Sequence, residues 1–165
     1  MNKIILIGLG CDEGDITLNG LNVIKSAKTV VARTGDAISF KTLKNQGVSA
    51  ITLDEVYKKS RNFDTLNKNL AKRVIEMSKN GEVVYAVDGS VTEDASCKEI
   101  LKKHKNVEVY AGVSTTSKCL ERLNVIETSV NGVSAYDYVN GLKVSFPLVI
   151  YAFYLFGYFR YQYAP

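Results

Sequence analysis

The stretch GEVVYAVDGSVTEDAS, Gly81 to Ser96, decides the fold. Val83–Val87 is a run of five uncharged residues, and such continuity predicts a strand buried on both faces. Asn80-Gly81 ahead of it ends a helix, and Asp88-Gly89-Ser90 behind it forms a turn. Ala95–Lys103 then reads as a helix. Strand, turn and helix in that order make half of a βαβ unit.

The same alternation extends in both directions. Upstream, Ile4–Ile7 is a second continuous apolar strand, bounded by Gly8 and Gly10. Leu18, Leu21, Ile24 and Ala27 follow at helical spacing, with Thr17 placed to cap them. Thr29–Ala32 predicts a strand, Ala37–Asn45 a short helix ended by Gly47, and Ala50–Leu53 another short strand. Asp54, Glu55 and Tyr57 read as a structured turn, and Leu66, Leu70, Val74 and Met77 mark a long helix from Asp64 to Ser78. Downstream, Val107–Tyr110 is the fifth strand, and the turn Ala111–Ser114 opens a helix reaching about Arg122. The expected fold class is α/β, with a five-stranded, mostly parallel sheet flanked by helices and an irregular aromatic carboxyl-terminal tail.

The chain has 165 residues, 21 basic and 17 acidic, an ordinary balance for a folded domain. Cys11, Cys97 and Cys119 lie too far apart to suggest a zinc site or a disulfide framework, so no metal is expected. MNKIILIGLG lacks the layout of a secretion signal, which points to a cytoplasmic protein. The densest basic run, Lys102–Lys105, includes His104, the only histidine, and is flanked by Glu99 and Glu108. It reads as a solvated helix end, with no nucleic-acid partner implied. The tail is different. Eight of the 16 aromatic residues fall between Tyr151 and Tyr163. Pro147, Gly157, Arg160 and Gln162 interrupt it, so it makes a poor membrane span and a better strand, PLVIYAFY.

Ligands of open α/β sheets sit at the carboxyl ends of the strands. Three loops there offer suitable chemistry. Gly8-Leu9-Gly10 allows close backbone approach. Asp88-Gly89-Ser90 offers a carboxylate, a hydroxyl and backbone N–H groups. Gly112-Val113-Ser114-Thr115-Thr116 leads into a helix start rich in hydroxyls. No GxGxxG or GxxxxGK[ST] pattern is present, which argues against dinucleotide and ATP-phosphate cradles. Ser114 and Thr115 also suit helix capping and Asp88-Gly89-Ser90 a plain turn, while Asp12, Glu13 and Asp15 resemble a carboxylate cluster for a hard cation and suit a tight acidic turn equally well.

In order and spacing these segments resemble the tetrapyrrole (corrin/porphyrin) methylases, the class III S-adenosylmethionine-dependent methyltransferases. The resemblance runs from Lys3 to Val139 through IILIGLG, GDITLNGLNVIKSAKTVVART, ITLDEVYKKSRNFDTLNKNLAKRVIE, GEVVYAVDGSVTEDAS and VEVYAGVSTTSKCLERLNV. Arg33-Thr34, LDEVY and VVYAV in that order are most similar to the branch fused to MazG-type nucleotide pyrophosphohydrolases. Two loops depart from the family pattern: Cys11-Asp12 replace proline and glycine, and Asp88 and Val91 stand at proline positions.

The resemblance implies an amino-terminal domain over residues 1–140, with 141–165 a linker and the stump of a second, truncated domain. It implies a cytoplasmic homodimer. S-adenosylmethionine would be held by Gly8, Gly10, Asp88, Gly89, Ser90, Ser114 and Thr115, with Asp88 available to a cationic group. Catalytic residues are not assigned. The implied activity is methyl transfer to a tetrapyrrole-like acceptor, weak or lost where the second wall of a two-domain cleft is missing. The alternative is a non-catalytic regulatory module for a MazG-type nucleoside triphosphate pyrophosphohydrolase, and the third reading is a remnant without a ligand.

Overall fold

The structure is a computed structural model and describes residues 2–151. The chain divides into two compact units, Met1–Val113 and Ser114–Pro165, a division earlier than the boundary near residue 140 expected from sequence.

The first unit is built on five strands: β1 (Ile4–Gly8), β2 (Val30–Ala32), β3 (Ile51–Thr52), β4 (Val83–Val87) and β5 (Val107–Tyr110). All pair in parallel, in the order β3-β2-β4-β1-β5. The two most apolar runs of the sequence, β1 and β4, are central and adjacent, and every residue of both is buried. Helices on both faces explain this, since a parallel sheet needs crossover connections that cover it.

Five helices belong to this unit: α1 (Leu18–Ser26), α2 (Phe40–Asn45), α3 (Asp54–Lys59), α4 (Phe63–Met77) and α5 (Ala95–Lys103). Ile5 and Ile7 of β1 join Ile24 of α1 and Phe40 and Leu43 of α2 in one apolar cluster with Val30, Val84 and Ala86. Ile4 and Leu6 alternate to the other side of the strand. The Thr17 hydroxyl caps α1 as expected by accepting from the Gly20 amide, and the structure adds Asp94 as the cap of α5, its carboxylate accepting from the Cys97 amide.

Two expectations change. Asp54, Glu55 and Tyr57 form no mere turn but the helix α3, because both acids sit in its first turn, where the helix dipole favours them. His104 is not on the surface: it is buried, 3% exposed. Its backbone N–H closes α5 on the Ile100 carbonyl, which turns the ring inward, and Nε2–H donates to the Asn2 carbonyl at 2.8 Å.

The second unit holds α6 (Thr115–Leu123), β6 (Asn131–Ser134), α7 (Ala135–Val139) and β7 (Leu148–Tyr151). β6 and β7 form a parallel two-stranded sheet. The strand start expected in PLVIY therefore has a neighbour that the sequence reading passed over. NGVS carries one large apolar side chain, too few to show a strand pattern. β7 is half-exposed rather than buried. The rest of the aromatic tail, 152–165, lies outside the described residues. No described helix is long and apolar enough to cross a membrane.

Candidate functional site

The carboxyl ends of β1, β4 and β5 meet at glycine. A Cβ on Gly8 would lie 2.5 Å from the Gly112 nitrogen and 2.6 Å from the Gly89 carbonyl oxygen. A Cβ on Gly112 would collide with Gly89 and with Gly8 in turn. Any side chain at either position would push the three loops apart. Gly10 (φ +78°) and Gly89 (φ +63°) lie in the left-handed region and exchange two backbone hydrogen bonds. The Gly10 N–H donates to the Gly89 carbonyl at 3.1 Å, and the Gly89 N–H to the Gly10 carbonyl at 2.8 Å. The amides expected to be free for a ligand at these two glycines are therefore spent on each other. The junction is a closed floor.

Asp88 stands beside this floor, half-buried. Its carboxylate accepts from the buried Ser39 hydroxyl, at the head of α2. Burial raises its pKa above the ordinary carboxylate value, against the opposing pull of the Ser39 bond and of the Arg33 charge. Ser90 is buried, and its hydroxyl is engaged with Thr92 at the start of a 3₁₀ turn, Val91–Glu93. The acidic loop ahead of α1 folds around its own carboxylate: Asp15 accepts from the Asp12 amide at 2.9 Å and from the Cys11 amide at 3.3 Å. No cluster of metal-ligating side chains occurs among the described residues.

Sequence reasoning gave no site role to the side chains that fasten this edge. Arg33, the first residue after β2, reaches four neighbours. Its Nε donates to the Tyr57 hydroxyl at 2.9 Å, and Nη1 to Asp94 at 2.5 Å and to Ser96 at 3.0 Å. Its Nη2 donates to Asn67 at 3.0 Å. The Arg33 and Asp94 side chains are 15% and 9% exposed. Burial works against the Arg33 charge, but Asp94 and two tyrosines outweigh it and hold the guanidinium well above its usual range. Burial likewise pushes the Tyr57 hydroxyl up to about 12, with Arg33 opposing. Next to it, Thr34 donates to Asp54 at 2.6 Å, and the Gly35 amide donates to the same carboxylate. The available signal was a lone arginine directly after an apolar strand, with hydroxyls and carboxylates at each neighbouring strand end.

Of the residues expected to bind a cofactor, Gly8, Gly10, Asp88, Gly89 and Ser90 come together at this edge. Ser114 and Thr115 open the second unit, where Ser114 caps α6 by accepting from the Ser117 amide at 3.0 Å. A cleft of about 430 Å³ in the first unit is lined by Thr17, Leu18, Asn19, Val109, Tyr110 and Ala111, none of them an expected site residue. The edge around Asp88 has no histidine among the described residues, and the Ser39 hydroxyl that donates to Asp88 is itself buried. The edge can orient and neutralise a charged ligand.

Residues 3–137 match the family described as Tetrapyrrole (Corrin/Porphyrin) Methylases. The chain belongs to this family. Methylase-family likeness extends to solved structures. The precorrin-6Y methylase of Archaeoglobus fulgidus is 20% identical, with a TM-score of 0.58 over 82% of this chain and 64% of its own. The uroporphyrin-III C-methyltransferase of Thermus thermophilus, in complex with S-adenosylhomocysteine, is 16% identical, with a TM-score of 0.56 over 81% of this chain and 55% of its own. These likenesses establish the fold. The uncharacterized protein YabN of Bacillus subtilis (strain 168) is 28% identical over 88 residues, 53% of this chain and 18% of that protein. The chain thus spans less than two thirds of the length of these relatives.

Proposed function

We propose that the chain is an S-adenosylmethionine-binding methyltransferase domain whose cofactor site in the first unit is the edge formed by Gly8, Gly10, Asp88, Gly89 and Ser90. The observation that carries this reading is the half-buried Asp88 carboxylate beside the closed glycine floor, in a chain of this family. The residues present fit a cationic ligand. The Gly10 and Gly89 amides, which would suit an anion, are already bonded, and Arg33 is occupied by Asp94. When bound, S-adenosylmethionine supplies a methyl group on a positively charged sulfur.

Each residue then has a limited task. Asp88 neutralises a cationic group of the cofactor. Gly8 and Gly112, without side chains, let three loops close into a surface that excludes water from below. Ser39 holds the Asp88 carboxylate in one orientation. Methyl transfer to an acceptor lone pair is an in-line displacement that depends on orientation more than on an acid or base, which agrees with an edge lacking histidine. With two glycine amides withdrawn, affinity is expected to be weak.

The acceptor would be a tetrapyrrole-like molecule, and the working form a cytoplasmic homodimer. Titration of S-adenosylmethionine into the purified chain, followed by heat and melting temperature, tests the reading. A saturable heat and a rising melting temperature are expected. Neither effect at millimolar cofactor would overturn it. The second reading, a regulatory module for a MazG-type pyrophosphohydrolase, draws on the same withdrawn amides: a floor closed on itself suits a domain in which methyl transfer has lapsed.

A further inference from the structure

The loop Asp88–Asp94 is held at both ends by one neighbouring segment, Arg33–Ser39. At its start, the Ser39 hydroxyl donates to Asp88. At its end, Arg33 donates to Asp94, whose other oxygen accepts from the Cys97 amide at 2.9 Å and from the Ser96 hydroxyl at 2.5 Å. Ser96 also shares a hydrogen bond with the buried Tyr85 hydroxyl at 2.9 Å. The Arg33 backbone N–H bonds the Ala86 carbonyl at 2.9 Å, two residues before Asp88. Between the two clamps, Gly89 is pinned to Gly10. Arg33 itself does not touch the glycine floor by any hydrogen bond in its set of Tyr57, Asn67, Asp94 and Ser96.

We propose that Arg33 is a positioning residue of the candidate site, acting on a ligand only through Asp94 and Asp88, and that it fixes the Asp88–Asp94 loop from the end opposite Ser39. The inference rests on the reading that Asp88 receives a cationic group of S-adenosylmethionine. Two features separate this role from simple packing. The guanidinium fork is spread over α3, α4 and the start of α5, so its geometry sets where the loop ends. Its charge also acts on the Asp88 carboxyl. The charged and titratable groups acting on Asp88 are Arg33 after β2, which favours its ionised form, and Asp94 before α5, which opposes it; Tyr57 on α3 feels Asp88 in turn. Ser39 at the head of α2 adds a hydrogen bond to the ionised form.

Two variants divide the roles. Arg33→Lys keeps the charge and loses the fork; Arg33→Gln loses the charge and keeps part of the hydrogen bonding. The first measurement follows the Asp88 carboxyl by carbon NMR against pH in the ligand-free protein, with melting temperature recorded in parallel. In Arg33→Gln the Asp88 titration moves to higher pH, while in Arg33→Lys it stays at the wild-type position although both variants melt earlier. The second measurement is S-adenosylmethionine affinity from pH 5 to 8. Arg33→Gln should bind more weakly than wild type at the acidic end and recover as pH rises. Arg33→Lys should follow the wild-type pH profile. An Asp88 titration unmoved in Arg33→Gln, or moved equally in both variants, overturns the proposal. Absence of cofactor binding by the wild-type protein would instead sink the cofactor reading, and the carboxyl titration would still decide the role of Arg33.

Discussion

The glycine junction and the arginine cluster stand at the same edge of one sheet and hold it by opposite means. Gly8, Gly89 and Gly112 join β1, β4 and β5 through backbone alone, where the absence of a side chain is the working feature. Arg33, Tyr57, Asn67, Asp94 and Ser96 join β2, α3, α4 and α5 through side chains spread across more than sixty residues of sequence. The first arrangement has no room to adapt. The second is a set of bonds in which one member's loss leaves the others buried and unmatched, a different kind of fragility.

Removing the arginine should produce the largest effect. Arg33→Met leaves Asp94 without its counter-charge and is expected to cost about 3–5 kcal/mol by chemical denaturation. The double variant Arg33→Met/Asp94→Asn should recover part of that loss, because no uncompensated charge remains. If the double variant is no better than the single, the cluster is not held by its ion pair. Gly8→Ala should cost about 3 kcal/mol, since its Cβ meets backbone atoms that cannot swing aside. Gly47→Ala is its control: that residue has φ +69° but open space around it, and about 1 kcal/mol is expected from backbone strain alone. Similar losses in the two variants would break the claim that the junction is special.

These two regions also differ in how plainly the sequence announces them. The five strands of the sheet were readable because β1 and β4 are unbroken apolar runs and their helices carry regular spacing and recognisable caps. Gly8, Gly10 and Gly89 were readable as strand-end glycines, although the sequence does not reveal that two of them consume each other's amides. Arg33 was visible as a residue but its role was not: its partners Tyr57, Asn67, Asp94 and Ser96 lie 24 to 63 positions away, and only the parallel crossovers bring them together. His104 misled for a related reason. A histidine among lysines looks solvated, and its burial depends on a partner at Asn2, 102 positions distant. β6 escaped because NGVS is too short and too polar to carry a period.

Smaller effects refine the comparison. Ser114→Ala removes the cap of α6 and should cost about 1 kcal/mol, the ordinary value for such a cap. A drop in cofactor affinity beyond what that stability loss explains would favour a binding role for Ser114. Asp88→Asn should be the mildest for stability, and opposite in sign. Because burial raises the Asp88 pKa in the folded state, ionisation is disfavoured there relative to the unfolded chain. Stability from this group is therefore fully present below the unfolded carboxylate pKa and falls as pH rises through the folded one. Asp88→Asn should be more stable than wild type at pH 7, with the gain vanishing as pH falls below the ordinary unfolded carboxylate pKa, about 4. A gain that grows on acidification would contradict the sign.

That sign makes the most direct test possible. S-adenosylmethionine is titrated at pH 7 into wild-type protein and into Asp88→Asn, and melting is measured on both. The account predicts saturable binding by the wild type and at least about tenfold weaker binding by the variant, the loss of roughly one charge-assisted contact. It also predicts that the variant melts no earlier than wild type, so the lost affinity cannot be blamed on a damaged fold. Equal affinity in the two proteins, or no binding to either at millimolar cofactor, would contradict it.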